Sequence, residues 1–173
     1  MRSTSTSVTL EQLRERIVDL LPRLRRFART LARSPHDADD LVQIAVERAL
    51  ARSDQLRADS SLSSWMFGIL RNAWIDEARA RGRRNRVFAP EELGDNVGVG
   101  SSDTHTDVLS VQDAMARLPD EQRIAVGLVL VEGLSYKEAA EIMGVPLGTL
   151  TSRLARGREA LQALLSDTTG AQK

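Results

Sequence analysis

The side chains that could do chemistry here are spaced for holding a nucleic acid rather than for bond-making. The stretch "WMFGILRNAW", residues 65–74, holds three of the six aromatic residues in the chain, and Arg79, Arg81, Arg83, Arg84 and Arg86 follow it. On a helix turning roughly 100° per residue, Trp65 and Trp74 fall on opposite sides. Phe67, Leu70, Trp74 and Ala78 share an apolar side suited to a core. The other side carries Trp65, Ile69, Asn72, Asp76, Arg79 and Arg83. An aromatic ring stacks on bases, an amide reads their edges, and guanidinium groups hold phosphates. Trp65 has a second reading, packed beneath the first helix, and periodicity leaves both open.

A second cluster lies near the C-terminus, in "SYKEAAEIMGVPLGTLTSRLARGREAL". Small Ala140 lets two helices approach, Gly144 suits a left-handed turn, Pro146 suits a helix start, and Leu150 locks the pair. That spacing is the form of a helix-turn-helix. On the last helix Leu147, Leu150, Leu154, Gly157, Leu161 and Leu164 share one side, with Gly148, Thr149, Ser152, Arg153 and Arg156 opposite. Small and hydroxyl residues at the tip fit a major groove, and arginines reach guanine edges or phosphates. Lys137 and Tyr136 are candidate backbone contacts.

Catalytic patterns are absent from the sequence. There is no Gly-rich phosphate loop, nucleophile–base pair or metal-ligand cluster. Cysteine is missing, and the two histidines, His36 and His105, have no partner at ligand spacing. A non-enzymatic protein without cofactor or metal is expected. The N-terminus "MRSTSTSVTL" lacks a signal-peptide core, and no run approaches the roughly 18 apolar residues of a membrane span. A cytoplasmic location is expected.

The net charge of zero hides a segregation. Residues 1–86 carry 17 Arg against 11 acids, whereas residues 87–134 carry 2 Arg against 9 acids. A basic first half suits a polyanion, and the acidic middle would be repelled by it.

The elements that must position these groups are helices throughout. Leu10, Leu13, Ile17, Leu20, Leu21, Leu24, Phe27, Ala28 and Leu31 make one amphipathic face, which Pro22 should kink or divide. Ser34 caps a second helix with Pro35 in its first turn. A third helix runs from about Ser61 to Arg84. The segment "NRVFAPEELGDNVGVGSSDTHTD" reads as a linker between two domains. Helices then resume at about Asp107, after Pro119, at "SYKEAAEIMG" and at "PLGTLTSRLARGREALQALL". The expected fold class is all-α, with two small helical domains at 10–86 and 107–166 and a linker at 87–106.

In order and spacing, "DADDLVQIAVERAL", "SLSSWMFGILRNAWIDEARARGRR" and "LPDEQRIAVGLVLVEGLSYKEAAEIMGVPLGTLTSRLARGREAL" resemble an extracytoplasmic-function (ECF) sigma factor of bacterial RNA polymerase. The likeness spans about residues 12 to 165. It implies a first domain, sigma region 2, that binds core RNA polymerase and the promoter −10 element. It implies a second, sigma region 4, that binds the −35 element, and a free monomer silenced by an anti-sigma factor. "DDLVQ" matches the polymerase-docking helix, with Asp40, Gln43 and Glu47 on one face. Trp65, Asn72 and Arg79 match the promoter-facing helix, and Asp76 and Arg83 complete that candidate −10 face. Thr149, Ser152, Arg153 and Arg156 match the −35 reading helix, with Lys137 beside it. The connection 53–63, with Asp54, Gln55 and Ser60, corresponds to a loop that captures a flipped base. The acidic linker would mimic nucleic acid in a basic polymerase channel. Ile44 departs from the pattern, where an acid is common, as do Leu150 for valine and Gly157 for alanine. A helix-turn-helix regulator with an N-terminal sensor domain is the other reading. It accounts for the last 40 residues but not for "DDLVQ" or the Trp65–Arg84 helix.

Overall fold

A computed structural model describes residues 9–56, 61–88 and 111–169 of the chain. Among these, helices α1 (Leu10–Leu31), α2 (Pro35–Ala51) and α3 (Leu62–Phe88) form the first domain. Helices α4 (Val111–Arg117), α5 (Asp120–Val126), α6 (Tyr136–Met143) and α7 (Leu147–Thr169) form the second. No strand occurs among the described residues. The linker expected at 87–106 lies almost wholly outside them, as does Ser60.

Local sequence explains the helix ends. The Thr9 hydroxyl accepts from the Gln12 N–H at 3.3 Å, and the Gln12 amide oxygen accepts from the Thr9 N–H at 3.0 Å. This reciprocal pair satisfies two donors that the first turn of α1 leaves open. Ser34 caps α2 by accepting from the Asp37 N–H at 3.1 Å, with Pro35 in the first turn. Contrary to expectation, α1 runs unbroken through Pro22. Pro22 is exposed, as is Val18 one turn before it, so the missing hydrogen bond falls on the solvent side. Packing by Leu13, Ile17, Leu24 and Phe27 on the other side carries the helix through.

The first core follows the amphipathic pattern. Phe27 of α1 meets Phe67 of α3 edge to face, with ring centroids 5.4 Å apart. Ala38, Leu41 and Ala45 of α2 close around them, and Met66, Leu70 and Trp74 are buried on α3. Trp74 thus belongs to the core, and the Arg81 guanidinium covers its ring at 4.9 Å.

The second domain packs α5 and α6 on α7 through Ile124, Leu128, Ala139, Leu150 and Leu154. A Cβ at Gly157 would sit 2.8 Å from Val126 Cγ2, so glycine permits the close approach of α7 to α5. After α5 the chain continues as a π-helical stretch, Gly127–Val131, and ends it at Glu132.

The two domains share one continuous apolar cluster. Helix α1 lies against α4, α5 and the π-helical stretch, and α3 lies against α6. Arg123 is buried here: it donates to the Leu31 carbonyl across the boundary at 3.0 Å and to the Ala116 and Leu118 carbonyls at 2.8 Å. Burial lowers its pKa, with Asp120 opposing the shift, yet a guanidinium stays charged at any ordinary pH.

Candidate nucleic-acid interface

The helix-turn-helix is built as its spacing predicts. Gly144 takes the left-handed conformation, φ 64° and ψ 37°. The Val145 N–H returns to the Ala140 carbonyl and the Gly144 N–H to the Glu141 carbonyl, each at 3.1 Å. That pair of bonds closes the end of α6 as a Schellman turn and aims α7 across it. Leu150 is fully buried under Ala140 and Met143, which fixes the angle between the helices.

At the other end of α6, Ser135 and Glu138 cap each other's backbone. The Ser135 hydroxyl and N–H both donate to the Glu138 carboxylate, at 2.6 and 3.0 Å. The S-x-x-E spacing carried this signal, which the reading of the motif did not use. These bonds hold the Glu138 pKa below the usual carboxylate range. A lowered folded pKa adds stability that is present above the ordinary carboxylate value and is lost as pH falls through the lowered one. We expect a carbon-detected titration to place the Glu138 midpoint below that of a free peptide. In a Ser135→Ala variant the midpoint should return toward the peptide value, and an unmoved midpoint would rule out the cap as its cause.

The outer face of α7 divides. Ser152 and Arg156 are exposed and Thr149 is half-exposed. Arg153 turns instead toward α5, where its guanidinium meets Glu121 at 2.6 Å and is only 28% exposed. A residue at the flank of the helix found a carboxylate on the neighbouring helix, which a single-helix wheel does not contain. Leu147 departs in the other direction: it is exposed rather than in the apolar stripe. It lines a shallow groove of about 400 Å³ with Lys137, Ala140 and Gly144, at the turn where α7 begins.

On α3, Asn72, Arg79 and Arg83 are exposed as a row. The Asn72 amide oxygen accepts from Arg71 at 3.2 Å. Asp76 is exposed but bonds Arg48 of α2 at 2.8 Å, so it also ties two helices of the first domain together. Ile69, expected on this side, is buried. Trp65 is half-buried and packs against the apolar core. With Ile69 and Asn72 it lines a cleft of about 560 Å³ whose opposite wall is Glu138, Glu141 and Ile142 of α6. Sequence periodicity could not supply that wall, because it comes from the other domain.

The third surface is the exposed face of α2. Asp40, Gln43 and Glu47 stand one turn apart, with Gln43 donating to Glu47 at 3.1 Å and His36 beside Asp40 at 3.2 Å. Ile44 is half-buried and packs against the core. Among the described residues, no three His, Cys, Asp or Glu side chains are gathered as for a metal ion. No described helix is long and apolar enough to cross a membrane.

Comparison with known proteins matches residues 17–84 to Sigma-70 region 2 and residues 109–161 to Sigma-70 region 4. The chain is 38% identical over 156 residues to the ECF RNA polymerase sigma factor EcfG of Rhodopseudomonas palustris, covering 90% of this chain and 86% of that protein. It is 38% identical over 143 residues to the ECF RNA polymerase sigma factor SigM of Mycobacterium tuberculosis, covering 82% of this chain and 71% of that one. Its fold is similar to that of the sigma factor RpoE from Bartonella quintana, solved in complex with the anti-sigma factor NepR. That likeness has a TM-score of 0.75 at 33% identity and covers 90% of this chain and 98% of the other. The fold also resembles CnrH, solved with the cytosolic domain of CnrY, with a TM-score of 0.67 at 23% identity over 92% and 90% of the two chains.

Proposed function

This chain belongs to the ECF family of RNA polymerase sigma factors, and from that premise we propose that it directs core RNA polymerase to promoters by binding alone. The domain at 10–86 docks on the polymerase through Asp40, Gln43 and Glu47. It contacts the −10 element through Trp65, Asn72, Arg79 and Arg83, with Asp76 positioning that row through Arg48. The domain at 107–166 contacts the −35 element through Thr149, Ser152 and Arg156, with Lys137 on the backbone and Arg153 steadied by Glu121. No bond-making step falls to its side chains. It works in the cytoplasm, where polymerase and promoter are, and it is held silent as a monomer by an anti-sigma factor, as the Bartonella quintana relative is bound by NepR.

The observation that carries this reading is the pairing, in one chain, of the region 2 and region 4 matches with exposed Asn72, Arg79 and Arg83 on α3 and exposed Ser152 and Arg156 on α7. Run-off transcription with purified core polymerase tests it: promoter-specific product should depend on adding the chain. Tight binding to duplex DNA with no such product would instead mark a helix-turn-helix regulator. Within this reading, Trp65→Ala is expected to fold normally and to lose activity on duplex promoters, and pre-melting the −10 segment should restore it. Equal loss on both templates would take strand opening away from Trp65.

A further inference from the structure

The Trp65 end of the row proposed for the −10 element faces α6 in the free chain, while Arg79 and Arg83 further along α3 stay exposed. Trp65, Ile69 and Asn72 form one wall of a cleft, and the carboxylates Glu138 and Glu141 of α6 stand opposite. A nucleic-acid strand approaching that wall would meet the side of α6 and two negative charges where its phosphates must lie.

What keeps α6 there is a specific interface. Glu132, at the end of the π-helical stretch, has a fully buried carboxylate clasped by two arginines of α1. Arg26 donates through Nε at 2.8 Å and Nη2 at 3.0 Å, and Arg23 donates through Nε at 3.2 Å. Arg23 Nη2 adds the Glu132 carbonyl at 3.2 Å. Five residues earlier, Gly127 lies so close to α1 that a Cβ would come within 2.9 Å of Phe27 Cε2 and Thr30 Oγ1. Such a fit joins two surfaces that match, rather than two domains resting loosely together.

We infer that this interface is an internal latch: Glu132, gripped by Arg23 and Arg26, holds α6 over the Trp65–Asn72 wall and so inhibits the free chain. Its inhibitory role rests on the function proposed above, whereas the closure itself does not. A chain that must open before use binds more weakly by the fraction of time it spends open. Loosening the latch therefore tightens apparent binding, the opposite of what simple damage does.

The experiment uses the full chain in three forms: wild type, Glu132→Gln, and Arg26→Gln, which removes two of the bonds to Glu132 from a half-exposed side chain. Small-angle scattering reads closure, and titration with a labelled single-stranded −10 oligonucleotide reads access to the Trp65–Asn72 wall. Both variants are expected to increase the radius of gyration and to bind the oligonucleotide about threefold or more tightly than wild type. An unchanged radius in both overturns the latch. A larger radius with unchanged or weaker oligonucleotide binding overturns its inhibitory role. If the radius shifts but no form binds the oligonucleotide or supports run-off transcription, the closure stands and the sigma function fails. Should Glu132→Gln not fold, Arg26→Gln decides alone.

Discussion

Replacing Arg123 with alanine is expected to destabilise the folded chain by about 2–5 kcal/mol, from buried carbonyls left without a donor and the cavity left by a large side chain. Its guanidinium serves three carbonyls, those of Leu31, Ala116 and Leu118, and the bonds to Leu31 and Leu118 are buried. Each buried acceptor left without a donor costs about 1–3 kcal/mol, and the cavity left behind adds to that. Arg123 also stands 5.8 Å from the Trp74 ring, so loss of this group is felt in both domains. Trp74 fluorescence during urea unfolding should report a lower midpoint. Arg123→Lys keeps the charge without the planar fork and is expected to fall between. A midpoint unchanged by Arg123→Ala would mean that water replaces the guanidinium, and the three carbonyl bonds would then carry no net stability.

The second large effect concerns recognition. Arg156→Ala should weaken −35-dependent binding of the polymerase-bound chain by about 1–3 kcal/mol, the range for a bidentate base contact. That corresponds to roughly 5- to 150-fold in affinity. Arg156 is exposed on the outer face of α7, so its loss should leave the fold intact. Arg153→Ala is the informative contrast. Its guanidinium is engaged by Glu121 at 2.6 Å, so its removal changes the packing of α7 on α5 as well as any DNA contact. A promoter titration against salt separates the two. Loss of a base contact lowers affinity for the correct −35 sequence, whereas loss of a phosphate contact lowers the salt slope by about one. Unchanged affinity and slope in Arg156→Ala would remove that residue from the reading face.

The two halves of the α3 row illustrate where periodicity serves and where it fails. Trp74, Phe67 and Leu70 repeat at helical spacing, and they are buried because a helix with one apolar side has one way to hide it. Trp65 sits on the other side, and what covers it is α6, more than 70 residues further along the chain. Leu147 departs from its expected apolar stripe, and Arg153 gains an ion pair with Glu121, for a related reason. A wheel places side chains around one helix, but only a neighbour such as α5 decides whether a flank residue meets solvent or a carboxylate.

Much was therefore present in residue order alone. Ala140, Gly144 and Leu150 specify a helix-turn-helix because their effects are local: a small side chain, a positive φ and one buried knob within a few residues. Ser34 with Pro35 starts α2 for the same reason, and the family follows from several such motifs in a set order. The closure of one domain on the other was not readable in that way. Glu132 finds Arg26 across 106 residues and Arg123 finds the Leu31 carbonyl across 92. A lone acid or arginine in a helical pattern looks like a solvated group. Only folding brings its partner near, and burial then makes leaving it unpaired costly. The nearness of α6 to the Trp65–Asn72 face of α3 depends in the same way on residues far apart in the chain.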